Sequence, residues 1–128
     1  MIFLGLDIVD IQRFDNWFLY SDKYLLKIFS INEINYCKSN IEKSAERFAL
    51  RFAFKESLYK ALNQFMLKKI NFLQFSKLCS LNTLNANELP KILIKDELLN
   101  TLNIKDFKLS FSLSHSRLSA VAVVIVYI

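Results

Sequence analysis

Carboxylates at Asp7 and Glu56, an ammonium at Lys60 and the single imidazole at His115 are the side chains whose type and setting could do chemistry. Glu56 lies in Arg51-Phe52-Ala53-Phe54-Lys55-Glu56-Ser57-Leu58-Tyr59-Lys60-Ala61. Apolar residues recur there at helical spacing, and no Gly or Pro interrupts residues 44–62. On such a helix Ala45, Ala49, Ala53, Glu56 and Lys60 fall three or four residues apart along one face. Small residues admit a neighbouring segment or a ligand close to the backbone, and Glu56 sits among them. A carboxylate in that place must be paired, protonated or bound to a cation, because burying it bare is costly. An ordinary Glu56–Lys60 helix pair, worth about 0.3–0.5 kcal/mol, would satisfy the same pattern.

Asp7 follows an apolar run and precedes Ile8 and Val9. Two readings are open. As a helix N-cap, opening Asp7-Ile8-Val9-Asp10, it contributes about 1 kcal/mol. As a metal ligand it joins Glu56 in offering carboxylate oxygens to a hard cation such as Mg²⁺, the usual companion of substrate phosphates. His115 ends an apolar strand face, where a lone histidine is commonly structural. In Ser114-His115-Ser116-Arg117, however, hydroxyl, imidazole and guanidinium donors gather as a phosphate cradle would need them. No nucleophile elbow surrounds the serines, so no hydrolytic triad is expected. Arg51, Lys55 and Lys60 add cations near Glu56, as a solvated helix face also would.

The elements that must position these groups follow from periodicity and punctuation. Residues 2–9 read as a strand buried on both faces, and a helix is expected through Gln12, Phe14, Trp17 and Phe18. Ser30-Ile31-Asn32-Glu33 is a capping box for a short helix through Ile34, Tyr36 and Cys37. Ser39-Asn40-Ile41-Glu42 is another, leading into the long helix that carries Glu56. Residues 72–82 read as a strand, Asn85-Ala86-Asn87-Glu88 as a turn, residues 90–94 as a short strand and 96–102 as a brief helix. Phe107, Leu109, Phe111, Leu113 and His115 alternate with Lys108, Ser110, Ser112, Ser114 and Ser116, which predicts a half-buried strand. Residues 120–128 are continuously apolar and predict a fully buried strand, joined to the previous one by a hairpin at His115-Ser116-Arg117. The class expected is α+β: an antiparallel sheet packed against one long central helix and shorter helices, as one domain over residues 1–128.

Bulk composition narrows the function classes. With 53 % hydrophobic and 14 % aromatic residues, the chain is too apolar to be disordered. A net charge of +5 permits an acidic partner, whether nucleic acid, anionic lipid, phosphorylated ligand or acidic protein. Cys37 and Cys79 lack metal-ligand spacing and read as small apolar fillers, which fits a reducing, cytoplasmic setting. No run is long enough to span a bilayer, and the apolar opening lacks the basic region and cleavage site of a leader.

Three segments together resemble the holo-acyl-carrier-protein synthases of the 4′-phosphopantetheinyl transferase superfamily. Gly5-Leu6-Asp7-Ile8-Val9-Asp10-Ile11-Gln12-Arg13 resembles their G-x-D-I-V-E-I-x-R start, with Asp10 in place of the usual Glu. Arg51 to Ala61 resembles their R-F-A-A-K-E-A-x-x-K-A helix. Ser112-Leu113-Ser114-His115-Ser116 with Ala120-Val121-Ala122 resembles their ending. Order, spacing and length agree along the whole chain. The resemblance implies transfer of the 4′-phosphopantetheine arm of coenzyme A to a serine of apo-acyl carrier protein, with release of adenosine 3′,5′-bisphosphate. It implies that Asp7 and Glu56 hold Mg²⁺ against the pyrophosphate, with Glu56, Lys60 and His115 as the catalytic group. Arg51, Lys55, Lys60, Ser114 and His115 would bind coenzyme A, and Arg13 would meet the carrier protein. It also implies a homotrimer with active sites between subunits.

The family's glycine-rich loop after K-A is missing. Leu62-Asn63-Gln64-Phe65-Met66 has no glycine, and Asn63 is the residue there that tolerates a left-handed conformation. Two other classes use parts of the same equipment: a Mg²⁺-dependent phosphohydrolase acting through the same carboxylates, and a basic, non-enzymatic nucleic-acid-binding domain. The second lacks any basic-aromatic motif of a known module.

Overall fold

A computed structural model of the chain describes residues 1–83 and 89–128. The long helix α3 (Ile41–Asn63) is its axis. Asn40 starts it by accepting a hydrogen bond from the Lys43 amide at 3.3 Å, so the cap is one residue beyond the serine that opens the predicted box. With no helix breaker inside, 23 residues carry the helix about 35 Å. Phe48, Phe54, Leu58 and Leu62 are buried along it.

One side of α3 packs on a three-stranded antiparallel sheet in the order β1 (Ile2–Asp10), β5 (Ser119–Tyr127), β4 (Lys108–His115). The strand predicted last is therefore the central one. Alternation holds throughout, with Ala120, Ala122, Val124 and Val126 buried against the helix. Ile2, Leu4, Leu6 and Ile8 point the other way, and each is more than half exposed. The expectation that residues 2–9 and 120–128 are buried on both faces is thus corrected for the single chain: one layer covers one face only.

The remaining elements pack elsewhere on α3 or on one another. α1 (Asp22–Leu25) precedes α2 (Ile31–Lys38), whose capping box forms in both arms between Ser30 and Glu33. The helix expected through residues 12–18 is instead two 3₁₀ turns, Ile11–Phe14 and Trp17–Leu19, separated by Asp15 and Asn16. Their aromatic residues lock the segment down: Trp17 stands 4.4 Å from Phe14 between ring centroids and 6.1 Å from Phe48. The strand expected over residues 72–82 divides into α4 (Phe72–Ser76) and β2 (Cys79–Asn82). Asn71 and Gln74 cap each other reciprocally and turn the first half into helix, a local preference that outweighs the apolar run. β2 pairs with β3 (Lys91–Ile94), and α5 (Asp96–Leu102) ends on left-handed Asn103, the one non-glycine with positive φ among the described residues. Asn63 is not left-handed; it closes α3. The turn expected at residues 85–88 lies outside the described residues.

Candidate active site

Gly5 decides how β1 meets α3. A Cβ there would stand 1.7 Å from the Ser57 carbonyl oxygen and 3.1 Å from the Ala61 amide, so only glycine admits the contact. Ser57 reinforces it by donating a hydrogen bond to the Ala122 carbonyl at 2.9 Å. The closest strand–helix approach thus uses Ser57 and Ala61 beside the alanine face read from the sequence.

Asp7 lies two residues beyond Gly5 on the same side of the strand, facing α3. It belongs to β1 and caps nothing, which removes the capping reading. Lys60 Nζ reaches Asp7 Oδ1 at 2.9 Å and also donates to the Leu6 carbonyl at 3.0 Å. Lys60 therefore pairs across to the strand rather than with Glu56. Asp7 Oδ2 is buried without a hydrogen-bond partner. Glu56 stands close enough to feel three charges. Burial pushes its carboxyl above the ordinary range, the Asp7 charge pushes it further, and Lys60 and Arg13 pull it back. Two carboxylates held together against their mutual repulsion, one with an orphaned buried oxygen, suit a small hard cation. Among the described residues no third His, Cys, Asp or Glu joins them, which leaves the rest of such a cation's coordination sphere to water and phosphate oxygens.

Arg13 follows β1 on the first 3₁₀ turn. Its guanidinium lies 4.8 Å from the centroid of the Phe52 ring and 5.5 Å from that of Phe14, so it is a stacked cation on the Glu56 side of the molecule.

His115 ends β4, level with Ala120 of β5. Its Nε2 lies 3.2 Å from Glu46 Oε1 on α3, and its Nδ1 faces the Ser116 carbonyl at 3.4 Å. His115, Ser116, Arg117, Glu46, Asp15 and Glu42 face a cavity of about 500 Å³. Glu46 precedes Glu56 by ten residues, roughly 15 Å of helix, so one chain does not bring His115 to the Asp7–Glu56 pair. Ser114 alternates to the outer, exposed face of β4, away from the side that His115 shares with Leu113.

A model of the 4′-phosphopantetheinyl transferase superfamily matches residues 3–122. The chain belongs to that superfamily. Within it, the holo-[acyl-carrier-protein] synthase of Chlamydia trachomatis serovar D is 33 % identical over 126 residues, covering 98 % of both chains. The synthase of Ehrlichia ruminantium is 35 % identical over 127 residues, covering 97 % of this chain and 94 % of its own. Among solved structures, the Helicobacter pylori synthase in complex with coenzyme A is 31 % identical, with a TM-score of 0.69 over 96 % of this chain and 98 % of that one. This phosphopantetheinyl transferase is thus an enzyme of the holo-acyl-carrier-protein synthase family.

Two of its expected coenzyme-binding residues lie on another side of α3. Lys55 is wholly buried: its ammonium pairs with Glu33 at 2.9 Å and donates to the Ser76 and Cys79 carbonyls at 2.8 Å each. All three protons are used, so Lys55 is a core residue and the expectation that it binds coenzyme A is corrected. Arg51 is also buried. It donates to Thr83 Oγ1 at 2.7 Å and lies 4.3 Å from the Tyr36 ring centroid, while its Nε has no partner.

The remaining candidates for chemistry are inert. Burial pushes the Cys37 thiol up to about 12 and the Cys79 thiol to about 11, so neither is a thiolate nucleophile. A larger cavity of about 620 Å³ opens between the start of α2 and the β2–β3 pair. Its Ser30, Ser80 and Asn82 side chains bond one another, and it holds no carboxylate among the described residues. The residue that sequence reasoning missed is Glu46. It reads as one more polar position on a helix face, and nothing local ties it to a histidine on a distant strand.

Proposed function

We propose that this enzyme transfers the 4′-phosphopantetheine arm of coenzyme A to a serine of an apo-acyl carrier protein and releases adenosine 3′,5′-bisphosphate. The observation that carries the reading is the Asp7–Glu56–Lys60 group, with its orphaned carboxylate oxygen, in a chain without an activated nucleophile among its described residues. The partner's serine supplies the nucleophile. Its oxygen bonds to the phosphorus that bears pantetheine and its proton passes to solvent, while the bond from that phosphorus to the bridging oxygen breaks and the nucleotide half leaves with that oxygen. Such a transfer depends on positioning and charge neutralisation. Asp7 and Glu56 would hold Mg²⁺, which when bound neutralises pyrophosphate charge and orients its oxygens. Lys60, tethered to Asp7, stands ready to follow a phosphate oxygen as charge develops. Ser114 and His115 serve the nucleotide half, and Arg13 the acidic carrier protein.

A site shared between subunits reconciles two features. His115 stands well away from Glu56 within one chain, and the outer face of β1 presents Ile2, Leu4, Leu6 and Ile8 uncovered. A homotrimer would cover that face and bring one subunit's His115 toward another's carboxylates. Two buried free thiols suit a reducing, cytoplasmic location, and no helix among the described residues is long and apolar enough to cross a membrane.

The test is mass spectrometry of an apo-acyl carrier protein incubated with the enzyme, coenzyme A and Mg²⁺. Gain of the pantetheine-arm mass, lost with a chelator, is the expected result. Inorganic phosphate released with the carrier unmodified would instead establish a phosphohydrolase. Sedimentation showing a stable, active monomer would overturn the shared site.

A further inference from the structure

The hairpin between β4 and β5 leaves His115 at an exposed strand end, where an imidazole ring ordinarily turns freely about its side-chain bonds. Here it does not stand alone. Glu46 Oε1 lies 3.2 Å from Nε2, and the ring's other nitrogen faces the Ser116 carbonyl at the longer distance of 3.4 Å. Asp15 and Glu42 face the same cavity without bonding the ring, so the contact belongs to Glu46 and is not a general effect of acidic surroundings. Both partners sit on rigid supports. Glu46 is on the second turn of the long helix beside Ala45 and Ala49, and His115 is registered to Ala120 on the central strand.

We propose that Glu46 is the positioning residue for His115. It holds the ring through Nε2 against α3, so that the ring keeps one orientation beside Ser116 and Arg117 at the cavity. A ring held in one orientation loses no side-chain freedom when a ligand enters the cavity. The ligand, the nucleotide half of coenzyme A, rests on the transferase reading above; the Glu46–His115 relation does not.

The experiment uses the intact enzyme and two readouts. His115 is the only histidine, so its modification by diethyl pyrocarbonate near neutral pH, followed by the mass of the peptide that carries it, reports one ring. Glu46→Ala is expected to speed that modification severalfold by freeing Nε2. Glu46→Gln, which keeps an acceptor oxygen, should fall between it and the unaltered enzyme, and coenzyme A should shield the ring. In steady-state kinetics Glu46→Ala is expected to raise KM for coenzyme A roughly two- to fivefold, more than it lowers kcat, the range of a partly exposed ion pair. In a His115→Ala background the same substitution should add nothing further. Unchanged modification rates, or additive effects of the two substitutions, would overturn the proposal. Absence of both shielding and transfer would defeat the transferase reading instead, and the modification rates would still decide the Glu46–His115 relation.

Discussion

Lys60 Nζ stands 2.9 Å from Asp7 Oδ1, while the other oxygen of the same carboxylate is buried and unpartnered. Lys60 thus neutralises one oxygen of the carboxylate, and the other has no partner among the described residues. Glu56 beside it is held at a cost, because burial and the Asp7 charge both disfavour its ionised form.

The first prediction concerns Glu56 itself. Its folded-state pKa lies above the ordinary value of 4.5 because of burial and then Asp7. For a raised acid the folded state binds the proton more tightly. Its contribution to stability is complete below the unfolded pKa and is lost as pH rises through the folded one. Glu56→Gln should therefore flatten the fall in thermal midpoint above about pH 4.5 in chelator. It should also reduce the stabilisation that Mg²⁺ confers, and lower transfer by about a hundredfold or more. An unchanged pH profile with full Mg²⁺ response would reject the assignment.

Asp7→Asn keeps the shape of the side chain but gives Lys60 a neutral partner and removes the orphaned anion. Transfer should fall by a similar factor, about a hundredfold, with the fold retained by circular dichroism. Turnover near that of the unaltered enzyme would show that the buried oxygen has no cation to hold.

Lys60 bridges Asp7 and the Leu6 carbonyl, so its role is separable from simple binding. Lys60→Ala is expected to lower kcat by about ten- to a hundredfold and to change KM for coenzyme A far less, the pattern of an interaction made in the transition state. A large KM increase with kcat preserved would make Lys60 a ground-state contact.

Lys55 separates structure from function. Its removal leaves Glu33 buried, although Glu33 still accepts from the Ser30 and Leu81 amides. Lys55→Met should cost about 3–5 kcal/mol in urea unfolding, because an uncompensated charge remains inside. Restoring neutrality with Glu33→Gln in the same chain should recover part of that loss. A stable Lys55→Met enzyme with a raised KM for coenzyme A would return Lys55 to the binding site.

Gly5→Ala tests the contact that brings Asp7 to α3. A methyl group 1.7 Å from a backbone oxygen has no flexible neighbour to displace, so β1 must lift from the helix. Loss of cooperative unfolding, or a drop of several kcal/mol, is expected. A fully stable and active variant would mean that the strand–helix approach is looser than described.

The local devices were legible in the residues themselves. The Ser30–Glu33 capping box, the breaker-free long helix, the period-two alternation of β4 and the brief helix at residues 96–102 all depend on neighbours within a few positions. The motif spacing around Asp7, Glu56 and His115 likewise carried the superfamily, which the match over residues 3–122 shows. Where local signals competed, the stronger one was not visible from composition: residues 72–82 are apolar enough for a strand, yet the Asn71–Gln74 cap bends their first half into helix.

What tertiary structure alone decided is the assignment of partners. Arg51, Lys55, Glu56 and Lys60 share one helix, and sequence spacing groups them as cations around a carboxylate. Helical rotation instead sends Lys55 into the core against Glu33 and brings Lys60 across to Asp7. Glu46 found His115 in the same way, through the packing of a helix against a sheet. Local propensity is set by residues a few positions apart, whereas the partner of a charge is set by which faces meet when distant segments pack, and no spacing in the chain encodes that distance.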